Sequence, residues 1–218
     1  MLDHSSIRRH LDIYVQKDMV AIVTENLSGY TLRQLIQKRP IPYERVIELG
    51  ERLLGALAYR HSNKIGNLLW TPEMIFICDD GRIKILDLGV QQVLEKAQTK
   101  GPSSASMPYV APELLTDGKP VPASDLYSFG LILWEMLVGK KACERNDLYG
   151  MMWWHTTVGA PDVRSVIESQ QVPPLLAKFI LACTATNQGM RPNNAQLALQ
   201  AWQQSISTLQ MQIFLQLL

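Results

Sequence analysis

Residues 82–89 of the chain read RIKILDLG, and they carry its clearest structural signal. They directly follow the turn sequence Asp79-Asp80-Gly81, and a second apolar run, IFIC, precedes that turn at residues 75–78. An Asp-Gly turn between two short apolar runs is typical of a β-hairpin. The sequence therefore predicts two antiparallel strands here, with Asp87-Leu88-Gly89 placed where the second strand stops.

The sequence before this hairpin predicts a second hairpin and then helices. Residues 11–15 and 20–24 are β-like runs separated by a short polar stretch, as in a hairpin. Ser28-Gly29 is expected to break the chain, and Thr31 is placed to cap a short helix after the break. Residues 43–61 then space their apolar side chains along one side, as an amphipathic helix does.

The sequence after the hairpin at 75–86 is mostly helical. Residues 87–113 are rich in Gln, Lys, Ser and Gly, which indicates a long loop. Residues 123–139 are apolar on nearly every side, which predicts a buried central helix. Two hairpins followed by helices predict an α+β fold in which helix dominates. The further predicted helices are residues 146–155, 163–169, 174–184 and 194–208.

Composition narrows the class of protein. The chain has 218 residues, of which 47% are hydrophobic, and this is enough for one sizeable core. A net charge of +1 gives no support to nucleic-acid binding, and no apolar run approaches the ~20 residues of a membrane-spanning helix. The isolated cysteines Cys78, Cys143 and Cys183 fit neither a disulfide framework nor a zinc site. They predict small buried side chains in a reducing, cytoplasmic environment.

Four short motifs follow one another along the chain. They are Asp87-Leu88-Gly89, Ala111-Pro112-Glu113 at the end of a YVAPE run, DLYSFG at residues 125–130, and Arg191-Pro192. In this order and spacing, the chain resembles the large lobe of eukaryotic-type Ser/Thr protein kinases, including their bacterial relatives, over nearly its whole length. The resemblance implies a protein-kinase-like fold with a mostly helical C-terminal lobe and a truncated small lobe.

The resemblance also implies three regions. Residues 1–26 correspond to the last two strands of the family's small lobe and its hinge, and residues 27–208 correspond to the large lobe. Residues 209–218 form an apolar tail, for which packing on the lobe is favoured over contact with a partner. Neither the Gly-rich loop nor the lysine strand of the family precedes residue 11. Because a two-stranded remnant exposes a strand edge, we expect residues 1–26 to be mobile or paired with another chain.

The catalytic loop is the most informative part of the resemblance, because the family carries His-Arg-Asp, a Lys and Pro-Glu-Asn there. Pro72-Glu73 is retained and fixes the register. Leu69 stands at the position of the catalytic base, whose loss typically slows a reaction about 100- to 10,000-fold. Thr71 has no charge to steady a phosphoryl group, and the Met74 thioether is a poor ligand for magnesium. The degenerate positions are Asn67, Leu68, Leu69, Thr71 and Met74.

Other positions carry over from the family residue by residue. Asp87 corresponds to the magnesium-binding Asp, although a loop-capping role is favoured here. Glu113 and Arg191 are expected to form a largely buried ion pair, and Asp125 is expected to accept backbone hydrogen bonds from the catalytic loop. No cofactor is therefore expected, with ATP and magnesium kept as the alternative. The implied remnant of the hinge and adenine site comprises Thr24, Glu25, Leu27 and Phe76.

The preferred functional hypothesis is a catalytically inactive pseudokinase that acts as a protein-binding or regulatory module, because scaffold residues remain while chemical ones are replaced. An atypical Ser/Thr protein kinase with ATP-dependent phosphoryl transfer is the first alternative, with Glu73 as the nearest replacement carboxylate. A truncated product without function of its own is the second. The expected partner is a protein rather than a nucleic acid or a membrane, and the open strand edge of residues 1–26 is one place for it to pair.

Overall fold

The predicted α+β fold, dominated by helix, is confirmed. The computed structural model describes residues 3–17, 19–66, 70–86, 106–116, 118–166 and 172–216, with only the backbone described at residue 20 and residues 212–216. The strands are β1 (His10–Gln16), β2 (Met19–Thr24), β3 (Gly29–Thr31), β4 (Ile75–Cys78) and β5 (Ile83–Ile85). The helices are α1 (Leu32–Ile36), α2 (Tyr43–Ser62), α3 (Pro122–Val138), α4 (Leu148–Trp153), α5 (Val163–Val166), α6 (Pro174–Cys183) and α7 (Ala195–Gln216).

Strands β1 and β2 form the predicted antiparallel hairpin, with Ile13 paired to Ile22. The hairpin is rich in β-branched residues, which favour extended backbone. Its apolar side chains are nevertheless open to solvent, and Val15 is 73% exposed. The two strands therefore gain little from burial. The exposed large apolar side chains are Leu11, Ile13, Tyr14, Val15, Met19 and Val23.

Strands β3, β4 and β5 form a second antiparallel sheet in that order. The β4–β5 hairpin lies where the sequence predicts it, but the predicted chain break at Ser28-Gly29 is wrong, because Gly29 begins β3. A Cβ atom on Gly29 would lie 2.1 Å from the carbonyl oxygen of Ile77 on β4, and the φ angle of Gly29 is +147°. Glycine is needed here because the two backbones approach so closely.

Helix α3 is the predicted central helix, and every residue from 123 to 137 is buried. It packs against α2, α6 and α7, so it is covered on several sides. Gly139 ends the helix in the left-handed conformation with φ of +82°, a common way to finish a helix. Four polar side chains of α3 are buried with the apolar ones: Ser124, Asp125, Ser128 and Glu135.

Helices α2 and α7 are held together through a tryptophan. A Cβ atom added to Gly50 of α2 would lie 2.6 Å from Cζ2 of Trp202 on α7, so the indole ring lies directly on the α2 backbone. Phe179 and Phe129 contact the same indole edge-to-face, with centroid separations of 4.9 and 6.4 Å. Aromatic pairs in this geometry stabilise a core beyond their area alone. The C-terminal helix is therefore an integral part of the large lobe.

The remaining helices agree with the predictions in type and differ in bounds. Helix α4 and the π-helical turn Trp154–Val158 occupy the predicted helix at 146–155, and α6 matches 174–184. Helix α7 runs to Gln216, so the predicted separate tail begins as a continuation of this helix. The predicted packing of the tail side chains, and most of the predicted loop at 87–113, lie outside the described residues. The three cysteines are buried and free, as predicted.

Candidate functional site

The centre of the degenerate catalytic loop, Asn67, Leu68 and Leu69, lies outside the described residues, as does Asp87. The site is therefore built from the segments that flank them. One flank is the end of α2 and the residues to Gly66, and the other is the 3-10 turn Pro72–Met74, which leads into β4.

The side chains of Thr71 and Met74 both make contacts within the protein. Thr71 is buried, and its hydroxyl group hydrogen-bonds to the carboxylate of Glu73. Met74 packs against the hydrophobic core, and its carbonyl oxygen accepts from the amide of Leu86 over 2.7 Å. Magnesium prefers oxygen ligands, so the Met74 thioether does not fit the metal, and the Thr71 hydroxyl is engaged by Glu73. Among the described residues, no group of three His, Cys, Asp or Glu side chains could hold a metal ion.

Glu73 is engaged by the protein itself. Its Oε1 atom lies 2.7 Å from Nε of Arg33 on α1. Burial raises the pKa of Glu73, but the hydrogen bonds from Arg33 and Thr71 and the Arg33 charge outweigh it and hold the pKa below its usual value. A carboxylate with a lowered pKa and a bound cation is a weak proton acceptor.

Arg33 also reaches into the interior, where sequence analysis did not foresee a polar cluster. Its guanidinium contacts the carboxylate of Glu135 on α3 and the hydroxyl of Tyr109, and that hydroxyl donates to Glu135. Burial, followed by the Glu135 charge, raises the pKa of Tyr109 far above its usual range, so the phenol stays neutral. The one signal in the sequence was Glu135, a carboxylate in the apolar second half of the central helix. The cluster joins α1, α3, the catalytic loop and the segment before Ala111-Pro112-Glu113.

Asp125 is placed at the foot of the catalytic loop by helix α3. Its Oδ2 atom lies 3.0 Å from Nε2 of His61, whose Nδ1 accepts from the amide of Ala195 over 3.2 Å. Because Nδ1 is an acceptor, Nε2 carries the hydrogen and donates a hydrogen bond to Asp125. A Cβ atom on Gly66 would lie 3.5 Å from Oδ2 of Asp125, so the loop begins beside this carboxylate. The predicted hydrogen bonds from the loop centre to Asp125 stay a prediction.

Glu113 and Arg191 are brought together although they lie 78 positions apart in sequence. Two parallel hydrogen bonds, Nη1 to Oε1 at 2.8 Å and Nη2 to Oε2 at 2.9 Å, join them. Arg191 also donates to the carbonyl oxygens of Ala123, Ala185 and Thr186. Burial raises the pKa of Glu113, but hydrogen bonds from Arg191 and Ser124 outweigh burial and hold the pKa below its usual value. The carboxylate therefore stays ionised. The geometry is that of a structural tie.

Glu25, one residue of the implied hinge, is held by β5. Nζ of the buried Lys84 lies 2.7 Å from Oε1 of Glu25, which also accepts from the Arg9 amide over 2.8 Å. Burial raises the pKa of Glu25, but these hydrogen bonds and charges outweigh it and lower the pKa. Phe76 on β4 is paired directly with Lys84 on β5, so their side chains lie on one face of the sheet. Thr24, Leu27 and Phe76 are all partly exposed.

The order of elements and the placement of these side chains agree with one family. Residues 1–203 match the sequence profile of the protein kinase domain. The chain belongs to the protein kinase family. The resemblance inferred from the four motifs is thereby confirmed, and the α+β fold of this kinase-family chain follows from it.

Named relatives of this kinase-family chain are bacterial. It is 30% identical to the serine/threonine-protein kinase PknL of Mycobacterium tuberculosis over 169 residues, which cover 76% of this chain and 42% of that relative. It is 28% identical to the serine/threonine-protein kinase PrkC of Bacillus subtilis over 187 residues, which cover 84% of this chain and 28% of that relative. The chain thus spans less than half the length of these curated relatives. Among its described residues, no helix is long and apolar enough to cross a membrane.

Proposed function

We propose that this kinase-family domain is a pseudokinase, a non-catalytic module that binds or regulates a partner protein. The observation that carries the proposal is the position of Met74. It occupies the place of the family's magnesium-binding Asn, and its side chain packs on the hydrophobic core. A soft thioether turned toward hydrocarbon offers nothing to a hard cation. Together with Leu69 at the position of the catalytic base, it supports a site without phosphoryl-transfer chemistry.

Phosphoryl transfer is the second candidate, because the named relatives are serine/threonine kinases. It would use ATP and magnesium, as the family does, and would need another acid in place of Leu69. Glu73 is the nearest described carboxylate in sequence, and it is held by Arg33 and Thr71 with a lowered pKa. Recruiting it as a base would require breaking that ion pair, so the geometry favours the pseudokinase.

The proposed partner is a protein. The frame of the large lobe is intact, with Glu113 tied to Arg191 and Asp125 bonded to His61. A large lobe that keeps its structural contacts while its catalytic positions are replaced supports a role in binding. We include the β1–β2 hairpin in the proposal, because its apolar side chains are exposed and a strand edge can accept an extended segment of another chain. A cytoplasmic setting stays part of the proposal.

A transfer assay tests the proposal. We expect no incorporation of labelled phosphate from ATP into the chain or a general protein substrate at high enzyme and magnesium concentrations. An active kinase domain in parallel shows that the assay works. Transfer that Asp87→Ala abolishes would overturn the pseudokinase and establish the second candidate.

Nucleotide binding is tested separately by thermal unfolding with ATP, with and without magnesium. A ligand present at 100 times its dissociation constant stabilises a fold by about 2.7 kcal/mol, which is easily detected. We expect no magnesium-dependent rise in melting temperature. A rise that needs magnesium and is lost in Asp87→Ala would show that the site holds the metal–nucleotide complex despite Met74, and would count against the pseudokinase.

A further inference from the structure

Helix α4 packs Met151 against the core but presents other apolar side chains to solvent. It has no buried residue along its six positions. Tyr149 is 83% exposed and Trp153, one helical turn later, is 52% exposed, so the two rings lie on the same side of the helix. Leu148 and Val158 are more than half exposed as well. Exposed apolar side chains gathered in this way mark interaction sites more often than isolated ones do.

The side chains that follow α4 fix it to the lobe. Trp154 and His155 are buried directly after the exposed Trp153. His155 accepts from the Tyr127 hydroxyl at Nδ1 over 2.8 Å and donates from Nε2 to the Met107 carbonyl oxygen over 3.0 Å. Because Met107 accepts from Nε2, the neutral tautomer is defined. The anchored neighbours prevent Trp153 from turning inward, so its exposure is a stable property of the fold.

A cleft beside Trp153 adds a concave part to this surface. Its volume is about 470 Å³, and its walls are formed by Ala142, Glu144, Arg145, Trp153, Trp154 and Val158. This volume lies within the range of about 300–1,000 Å³ that is usual for binding sites. The Arg145 guanidinium lies 5.9 Å from the Trp153 ring centroid, within reach of a cation–π contact. The cleft can therefore seat a large side chain next to a fixed cation.

The charges around the cleft are unequally paired. Asp147 caps the start of α4, because its Oδ1 accepts a hydrogen bond from the Gly150 amide over 2.6 Å. Glu144 lies 3.7 Å from Lys140. Within the described part of the chain, neither Lys141 nor Arg145 has a carboxylate within 4.0 Å. An incoming carboxylate would pair with these two cations, whereas Glu144 on the cleft wall already has Lys140 as a partner.

We infer that Arg145, Leu148, Tyr149, Trp153 and Val158 form a docking surface for an acidic, apolar segment of a partner protein. The inference rests on the proposed binding role and names the surface and the chemistry of its occupant. Apolar side chains of the segment cover α4 and enter the cleft, while its carboxylates face Arg145 and Lys141. Complementary charge of this kind mainly sets specificity and association rate, and the buried aromatic contact supplies most of the affinity.

A titration with two synthetic amphipathic peptides tests the inference. The peptides share one face of Leu and Phe, and the flanking residues are Glu in one and Lys in the other. The chain has five tryptophans, so their indole N–H signals can be followed individually by NMR. We expect the Glu peptide to shift the Trp153 signal and to bind at least about tenfold more tightly than the Lys peptide. Trp153→Ala should weaken binding about tenfold or more, and Arg145→Glu should remove the preference for the Glu peptide.

Matched variants elsewhere serve as controls. Leu197→Ala removes an exposed apolar side chain from α7, and Lys38→Glu reverses another exposed cation, whose Nζ lies 5.6 Å from the Tyr30 ring centroid. Neither should change peptide binding. Equal binding of both peptides, or shifts confined to other tryptophans, would overturn the inference.

Analytical sedimentation measures whether the chain forms a dimer. A dimer that Trp153→Ala dissociates would make a second copy of this chain the occupant and would overturn the acidic segment. The phosphate-transfer assay is independent of all these results. A failure of peptide binding therefore leaves the pseudokinase proposal untouched, and measured phosphate transfer leaves the docking surface untouched.

Discussion

The carboxylate of Glu135 lies against the guanidinium of Arg33 in the interior of the large lobe. The Glu135 side chain is 1% exposed and that of Arg33 is 14% exposed. Tyr109 completes the cluster from the segment that leads to Ala111-Pro112-Glu113. This buried cluster contacts the degenerate catalytic loop through the Arg33–Glu73 ion pair. Substitutions in the cluster can test its contribution to stability.

Arg33→Met should lower the free energy of unfolding by about 3–5 kcal/mol, because it leaves the Glu135 carboxylate buried without its cation. Urea unfolding measures the change. Arg45→Met is the matched control, since Arg45 pairs with Glu48 on the exposed side of α2, and it should cost less than about 1 kcal/mol. The double variant Arg33→Met/Glu135→Met should recover part of the loss. Equal effects of Arg33→Met and Arg45→Met would contradict the structural role of the buried pair.

Gly50→Ala should destabilise the lobe by about 1–3 kcal/mol, because the new methyl group would meet the Trp202 ring at 2.6 Å. Gly55→Ala lies in the same helix with nothing within 4 Å of the new atom. It should instead stabilise by about 0.5–1 kcal/mol, the usual gain of alanine over glycine in a helix. Thermal unfolding of the two variants side by side gives the comparison. If both variants shift the melting temperature in the same direction, the close packing of α2 on α7 is refuted.

The stability of the domain should depend on His155 between pH 6.5 and pH 5. Burial lowers the pKa of His155 from 6.5 to about 4, against a smaller opposing effect of its hydrogen bond to Met107. Below pH 6.5 the unfolded chain binds a proton at this position that the folded chain does not, so the free energy of unfolding falls as the pH falls. The whole shift corresponds to roughly 3 kcal/mol, of which about half is lost by pH 5.

Urea unfolding at pH 7.5, 6.5, 5.5 and 5.0 (about one unit apart or less) measures this dependence. His155→Gln keeps a polar side chain and should lose roughly 1.5 kcal/mol less over the window than the native chain. His4→Gln is the comparison variant. Burial and the Lys84 charge also lower the pKa of His4, but this side chain is less buried than that of His155. An unchanged pH dependence in His155→Gln would show that this histidine is not the group responsible.

Residues 10–24 should exchange their amide hydrogens much faster than the residues of α3. The hairpin has two strands and exposed apolar faces, whereas residues 123–137 of α3 are all buried. Local opening is cheapest where few side chains are buried. Hydrogen exchange by mass spectrometry on the monomer measures the difference. Slow, core-like exchange in the hairpin would instead indicate that it is covered in solution.

Much of the fold was predictable because its elements satisfy local rules. The apolar run at 123–139 could only be a buried helix, and the spacing of 43–61 marked one apolar side. By contrast, β3 was missed because three residues are too few to produce an alternating pattern, and Gly29 normally indicates a turn. The need for glycine there arises from the approach of Ile77, which is far away in sequence.

The candidate site was predictable only in part, for a similar reason. Motif order identified Glu113, Asp125 and Arg191, because each lies in a recognisable local sequence. Arg33 carries no such local signal, and Tyr109 lies in the YVAPE run without a role assigned to it. The roles of both depend on Glu135, which lies on a different element. The exposed rings of α4 were not predicted either. Aromatic residues are usually buried, and only the surrounding packing reveals which tryptophan of a neighbouring pair faces outward.

The π-helical turn Trp154–Val158 sets the rotation of α4 about its axis. One extra residue per turn separates that helix from the segment beyond it. Deleting a single residue from this turn would restore ordinary α-helical spacing and rotate α4 by about 100° relative to the segment that follows the turn. Such a deletion would turn Tyr149 and Trp153 away from Val158, which follows the deleted position, without altering any of these three side chains. The orientation of the aromatic surface is therefore encoded by backbone length, and a shift of one position would erase it while leaving the composition of the surface intact.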